Sequence, residues 1–272
     1  MMRFLRKSHF SPDDRNLIGN TVPKRALEIP DRQKPYIMAH RGNRVHCPEN
    51  TLAAFQWAFN EGADILETDL HLSVDGVLVC IHDAAVDRTT NGSGPVSSKT
   101  LAELKALSAS YGRPEYAEER IPTLDETCAI LPEGVALALE LKTNRFLEPA
   151  VGRQLVDQLR AAGVFDRTVL LSFHLDYLQA VQHESPDLPI GKISMGNPFP
   201  RKGVQLNGSF WPVLLFNPFY ARMAHSYGQA TCPLDPTPDS RLKWYRWMGF
   251  DAILSDDPGS TLAKMRQLGI RS

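Results

Sequence analysis

The chain has 272 residues, 43% of them hydrophobic and 22% charged. That composition excludes intrinsic disorder and suits one large domain or two small ones, at roughly 100–200 residues each. Thirty Lys and Arg face thirty-one Asp and Glu, a formal net charge of -1, so nucleic acid and other polyanions are not expected as partners. A small anion held by two or three local cations stays compatible with that balance. No run reaches the roughly 18 apolar residues of a membrane span. The basic start MMRFLRKSHF has no apolar stretch behind it, so a cleaved secretory signal is not expected. Cys47, Cys80, Cys128 and Cys232 form no CxxC pair. They read as reduced thiols of a cytoplasmic protein rather than a zinc site or a disulfide framework. The oligomeric state is not legible.

Residues 1–34 read as an N-terminal arm of unknown role, with scattered prolines and charges and only a short helix expected over RALEI. From Tyr36 onward, short apolar runs alternate with amphipathic stretches. Strands are expected over 36–41, 63–70, 76–83, 135–142, 168–174, 188–194, 212–217, 228–235 and 250–256. Helices are expected between them: TLAAFQWAFNEG stopping at Gly62, EPAVGRQLVDQLRAAG at Gly163, LDYLQAVQHESP before Pro186, and PDSRLKWYRWMGF at Gly249. Continuously apolar strands alternating with helices imply a parallel sheet. About eight βα units over roughly 235 residues fit a (β/α)8 TIM barrel. An open doubly wound sheet would place a Gly-rich phosphate loop after the first strand, and AHRGNRVHCPEN has none. The fold class expected is therefore α/β, a single TIM-barrel domain over 35–272. Residues 84–120, polar and Gly/Ser-rich around NGSGPVSS with a helical SKTLAELKAL behind, are expected as a small insertion on the rim after strand 3.

Polar residues collect at the expected strand ends: His40 and Arg41, Glu67 and Asp69, His82 and Asp83, Glu140 and Lys142. A barrel builds its site on that face, from the ends of different strands. Glu67 and Asp69 are two apart on a strand and so share a face, as do Glu140 and Lys142. Three carboxylates converging at low dielectric repel unless a cation neutralises them, and a hard divalent ion, Mg2+ or Ca2+, suits oxygen donors. Two histidines beside such a cluster suit proton transfer, one taking a proton while the other gives one. Arg41 offers a planar fork and Lys142 a point charge for phosphate oxygens. A metal, two cations and two histidines point to phosphodiester hydrolysis; no G-x-S-x-G and no Cys–His pairing signals acyl chemistry. His174 and Asp235 end later strands. Asp256-Asp257-Pro258 reads as a helix-capping turn, and His46, His71 and His183 read as ordinary surface or structural residues.

These residues fall in an ordered series of blocks: His40-Arg41-Gly42, Pro48-Glu49-Asn50-Thr51, Glu67-Thr68-Asp69, Asp75-Gly76, His82-Asp83 and Arg88-Thr89-Thr90. IPTLDE, ALELK, LLSFH and FDAILSDDP follow. The series resembles the glycerophosphodiester phosphodiesterase family over about residues 35–265. The resemblance implies a TIM barrel with an insertion after the third strand and a divalent ion held by Glu67, Asp69 and Glu140. It also implies His40 and His82 as the acid/base pair and Arg41 and Lys142 on the phosphate; Glu49, Asn50, Asp83 and His174 are expected as residues that support them. The substrate implied is a small glycerophosphodiester, cleaved to glycerol 3-phosphate and an alcohol. Two departures stand out. The family's Trp-Thr-Val-Asn at the seventh strand is here Cys232-Pro233-Leu234-Asp235, and segment 195–230 carries extra residues. Both lie where the alcohol would sit. A lysophospholipase D or a sugar-phosphodiester phosphodiesterase using the same site is the alternative, as is a non-catalytic barrel that binds a phosphodiester.

Overall fold

The computed structural model describes residues 28–272; the arm up to residue 27, with most of RALEI, lies outside them. Eight strands run parallel: β1 (Tyr36–His40), β2 (Ile65–Leu72), β4 (Ala136–Leu141), β5 (Thr168–Ser172), β6 (Ile190–Ser194), β7 (Leu206–Ser209), β8 (Ala230–Thr231) and β9 (Ala252–Ser255). Their order is β8-β7-β6-β5-β4-β2-β1-β9. The ends of that series meet through the Asp251 N–H on the Thr231 carbonyl (3.1 Å) and the Thr231 N–H on Asp251 Oδ2 (2.9 Å), so the barrel is nearly closed.

Strand alternation divides the interior. Tyr36, Met38, Ile65, Ala136, Ala138, Val169, Leu171, Leu206, Ala230, Ala252 and Leu254 fill the lumen. Leu66, Leu137, Leu139, Leu170 and Ile190 point outward and pack on the helices. The helices are α1 (Leu52–Asn60), α4 (Pro149–Ala161), α5 (Leu175–Glu184), the short α6 (Trp211–Leu214), α7 (Tyr220–Ser226), α8 (Leu242–Met248) and α9 (Pro258–Gln267). Their ends follow local chemistry. Thr51 Oγ1 accepts from the Ala54 N–H at the start of α1, and Gly249 ends α8 with φ 86°.

Three expectations are corrected. The run 76–83 is not a barrel stave. Only β3 (Leu78–Cys80) forms there, and it turns back antiparallel along β2, pairing Leu70 with Cys80 and Leu72 with Leu78. A continuous apolar run reports burial, not the direction of its partner. The run 212–217 is not a strand; it folds into α6 and a turn. The stave before it is LNGS, whose Asn207 and Ser209 face outward into hydrogen bonds while Leu206 fills the lumen. Finally, the β6–β7 crossover, residues 195–205, has no α-helix, so one βα unit lacks its helical half.

The rim insertion carries α2 (Leu101–Ala106), and α3 (Leu124–Ala129) follows it before β4. It has its own small core of Val79, Ile81, Val86, Val96, Leu104, Ala109 and Ile121. From there Arg113 donates to the Arg44 and Val45 carbonyls and the Tyr116 hydroxyl to the His46 carbonyl. The insertion is thereby fastened to the loop between β1 and α1.

Candidate active site

The strand parity that fills the lumen also builds its mouth. Extending each inward row by one step gives His40 on β1, Glu67 and Asp69 on β2, and Glu140 then Lys142 from β4. Register pairs His40 with Glu67 and Asp69 with Glu140. Carboxylate oxygens of Glu67, Asp69 and Glu140 all lie within 4.8 Å of one another, and all three residues are buried. The cavity above them, about 220 Å3, is polar on the side of His40, Arg41, Glu67, His82 and Glu140. On the side of β5 to β8 it is apolar, walled by Leu171, Phe173, Ile193, Met195, Phe210 and Leu234.

Arg41 and Lys142 sit against the acids. Arg41 holds a left-handed backbone, φ 59°, and its N–H donates to Glu67 Oε2 at 3.1 Å. Its guanidinium donates to Glu49 Oε1 at 2.8 Å, and its Nε lies 3.2 Å from Asp69 Oδ2. Lys142 Nζ donates to Glu140 Oε1 at 2.9 Å and stands 3.6 Å from Asp69 Oδ1. Asn50, also left-handed at φ 53°, gives its amide to Asp69 Oδ2 at 2.9 Å and accepts the Thr68 hydroxyl at 2.7 Å. Two non-glycine residues in that region, on one loop beside the acids, mark strain that the surrounding bonds sustain.

Three acids against two cations leave an excess negative charge. Burial and the neighbouring Asp69 push Glu140 up to about 7. Burial, with Asp69 and Glu140 beside it, raises Glu67 well above its ordinary value. Burial also works to raise Asp69, but Arg41, Lys142 and His82 together hold it below. Asp69 Oδ1 is buried without a hydrogen bond. A hard oxygen set with one orphaned carboxylate oxygen fits a divalent ion well.

The two histidines share one architecture. His40 Nδ1 lies 2.7 Å from Asp256 Oδ1, and His82 Nδ1 lies 2.6 Å from Asp83 Oδ1. Each carboxylate fixes its ring through Nδ1, which leaves Nε2 for the cavity. Burial, the larger effect in both, lowers the two imidazole pKa values. Arg88, from the insertion, donates to Asp83 Oδ2 at 2.6 Å and to both oxygens of Glu49, at 2.8 and 3.0 Å. Glu49 is held down to about 2: burial opposes this, but Arg88, Arg41 and Arg44 surround it.

Asp256 and Arg88 are the residues that sequence reasoning undervalued. Asp256 follows Ala252 and Leu254 on the inward row of β9, and that parity was the available signal. Its neighbour Asp257 does cap α9, accepting from the Ser260 N–H at 3.2 Å. Arg88 was visible only as part of a motif. His174 is exposed, away from the cavity, with its ring stacked on Tyr177 at 4.6 Å. Asp235 is buried on Arg241 and the Tyr245 hydroxyl, a structural role.

A (β/α)8 barrel with acids, cations and oriented imidazoles at its C-terminal mouth is a barrel hydrolase in layout. Comparison with known proteins narrows the class. The model of the glycerophosphoryl diester phosphodiesterase family matches residues 40–260, and the chain belongs to that family. A glycerophosphodiester phosphodiesterase of Caldanaerobacter subterraneus subsp. tengcongensis is 40% identical over 161 residues, 58% of this chain and 66% of that protein. One from Bacillus altitudinis is 29% identical over 82% of this chain and 94% of its own. Among solved structures, an Oleispira antarctica phosphodiesterase in complex with the product sn-glycerol-3-phosphate aligns with a TM-score of 0.76 at 29% identity, covering 85% of this chain and 97% of that one.

Proposed function

We propose that this protein is a divalent-metal-dependent phosphodiesterase that hydrolyses a glycerophosphodiester to glycerol 3-phosphate and an alcohol. The observation that carries the reading is the buried acid trio, with one orphaned oxygen, set between two cations and two carboxylate-oriented imidazoles. Glu67, Asp69 and Glu140 would hold the ion, Mg2+ or Ca2+, which when bound supplies charge neutralisation and polarises a phosphoryl oxygen. With an ion held by the three acids, the mouth would carry an excess positive charge, suited to a singly charged diester. Arg41 and Lys142 stabilise the charge that builds on the phosphoryl oxygens. One imidazole takes the proton of the nucleophile, either water or the substrate's own 2-hydroxyl. The other protonates the leaving oxygen. Asp256 and Asp83 hold the rings in the tautomer this needs. The buried free thiols support a reducing compartment, and we place the enzyme in the cytoplasm. Among the described residues no helix is long and apolar enough to cross a membrane.

Exhaustive EDTA dialysis should abolish release of glycerol 3-phosphate from glycerophosphocholine, and Mg2+ or Ca2+ should restore it. Full turnover after dialysis would remove the ion from the reading, and no turnover of any phosphodiester with either ion would leave only a binding barrel. The apolar wall favours a second reading, in which the alcohol carries an acyl chain. Faster turnover of lysophosphatidylcholine than of glycerophosphocholine would favour it.

A further inference from the structure

The helix-less β6–β7 crossover leaves a gap in the outer layer, and a cavity of about 230 Å3 lies there, apart from the acids and imidazoles of the mouth. On β6, Ile193 points into the lumen, so its neighbours Lys192 and Ser194 point outward, into this cavity. Lys192 Nζ donates to the Phe173 carbonyl at 2.8 Å and the Ile193 carbonyl at 2.6 Å, which leaves one of its three N–H groups. Arg201, from the crossover, lines the same space. Neither cation pairs with a carboxylate among the described residues, and no Asp or Glu lines the cavity. Burial, with the charge of Arg201, pushes the Lys192 ammonium down.

Of the remaining polar lining, Asn207 is committed, its Oδ1 to the Arg201 N–H and its amide to the Arg201 carbonyl and Gln229, while the others can donate. Ser194 Oγ accepts from the Gly196 and Asn197 N–H groups, so its own O–H is left to give. Asn197 Oδ1 accepts from the Phe199 N–H, which leaves the amide N–H groups. Tyr220 is 2% exposed, lines the cavity, and its hydroxyl has no hydrogen-bond partner among the described residues. These donors and two cations without a carboxylate partner face one half-open cleft, walled otherwise by Leu175 and Phe199, and such a cleft suits an oxyanion. The volume equals about seven or eight waters in the liquid, room for a phosphate group with a small substituent.

We propose that the cavity behind β6 is a second anion site, in which Lys192, Arg201 and Tyr220 bind the phosphate group of a small molecule. The ligand is inorganic phosphate or a small phosphate monoester. The mouth is not required for this binding, so the proposal stands or falls separately from the hydrolytic reading.

Crystals soaked in tungstate test the place. An anomalous peak should appear within bonding distance of Lys192 and Arg201. A peak confined to the mouth, or none at a concentration that fills the mouth, would overturn the proposal. Equilibrium dialysis tests the stoichiometry, with inorganic phosphate in one arm and glycerol 3-phosphate in the other. The wild type should bind one equivalent more than the K192M/R201Q variant in at least one arm, and the arm that shows it identifies the source. Equal stoichiometry in both arms refutes the site. Because Lys192 is half-buried, R201Q alone at its exposed position serves as the folding-safe control. It should weaken the extra site roughly tenfold, as loss of a charge-assisted bond does, and unchanged affinity would count against the assignment.

Discussion

His40 and His82 are each oriented by a carboxylate, and the two carboxylates differ in origin. Asp83 adjoins its histidine in sequence, whereas Asp256 reaches His40 from the far end of the chain. Alanine at either histidine should lower kcat by about 10²–10⁴-fold, the usual range for general acid–base catalysis. Activity within a few fold of wild type would take that residue out of the role. Asp256→Asn keeps the shape but favours the wrong tautomer, so roughly a 10²- to 10⁴-fold fall in kcat is expected, with KM little changed. A steady-state comparison with a pH profile distinguishes this from simple unfolding. Glu49 makes a different kind of prediction. Its carboxyl is held at about 2 in the folded protein against an ordinary 4.5, so its stabilising share is complete above the unfolded value and is lost as pH falls toward 2. That share is about 3 kcal/mol. Chemical denaturation of Glu49→Gln should show a deficit of that order at neutral pH that shrinks below about pH 4.

At the scale of elements, the loop between β1 and α1 concentrates the strain and most of the contacts that set the site. Arg41 and Gly42 are consecutive left-handed residues, at φ 59° and 82°. A Cβ on Gly42 would lie 2.6 Å from the Ala54 carbonyl carbon and oxygen, in the backbone of α1. Gly42→Ala should therefore cost about 2–4 kcal/mol and displace Arg41. Thermal melting and kcat should fall together; an unaltered variant would show that the loop yields without consequence. The insertion acts on the same loop through Arg88, Arg113 and Tyr116. Leu104, buried in the insertion's own core, tests that link. Leu104→Ala should cost about 2–5 kcal/mol locally and should reduce activity by loosening Arg88 from Asp83 and Glu49.

For the whole molecule, the barrel pools acids that no single segment would bury. Glu140 sits near 7 and Glu67 is raised as well, so the ion-free native state holds protons that the unfolded chain has released. Its stability falls as pH rises between about 4.5 and 7, because the folded state is the better proton binder there. A divalent ion held there, as proposed, would take the deprotonated acids and reverse that loss. The rise in Tm on adding Mg2+ or Ca2+ should be larger near pH 8 than near pH 5.5. Equal shifts at both would mean that the ion binds elsewhere. The barrel also splits the mouth into polar and apolar halves, because β1, β2, β4 and β9 end in charges while β5 to β8 end in hydrophobic side chains.

The sequence by itself determined the barrel rhythm and the residues of the acid trio, the cations and the imidazoles. Periodicity, strand-end position and two-residue spacing are local properties, and the chain writes them directly. It also misled where a local signal has two meanings. An apolar run such as 212–217 suits a strand or a helical turn, here one that leaves Leu215 and Phe216 exposed, and Asp256 beside a helix cap reads as part of that cap. The antiparallel turn of β3, the polar stave at 206–209, the missing helix after β6 and the pairing of Asp256 with His40 were decided by tertiary structure alone. Each depends on which distant strand lies alongside, and closure of the sheet settles that only once all the staves compete for the same lumen.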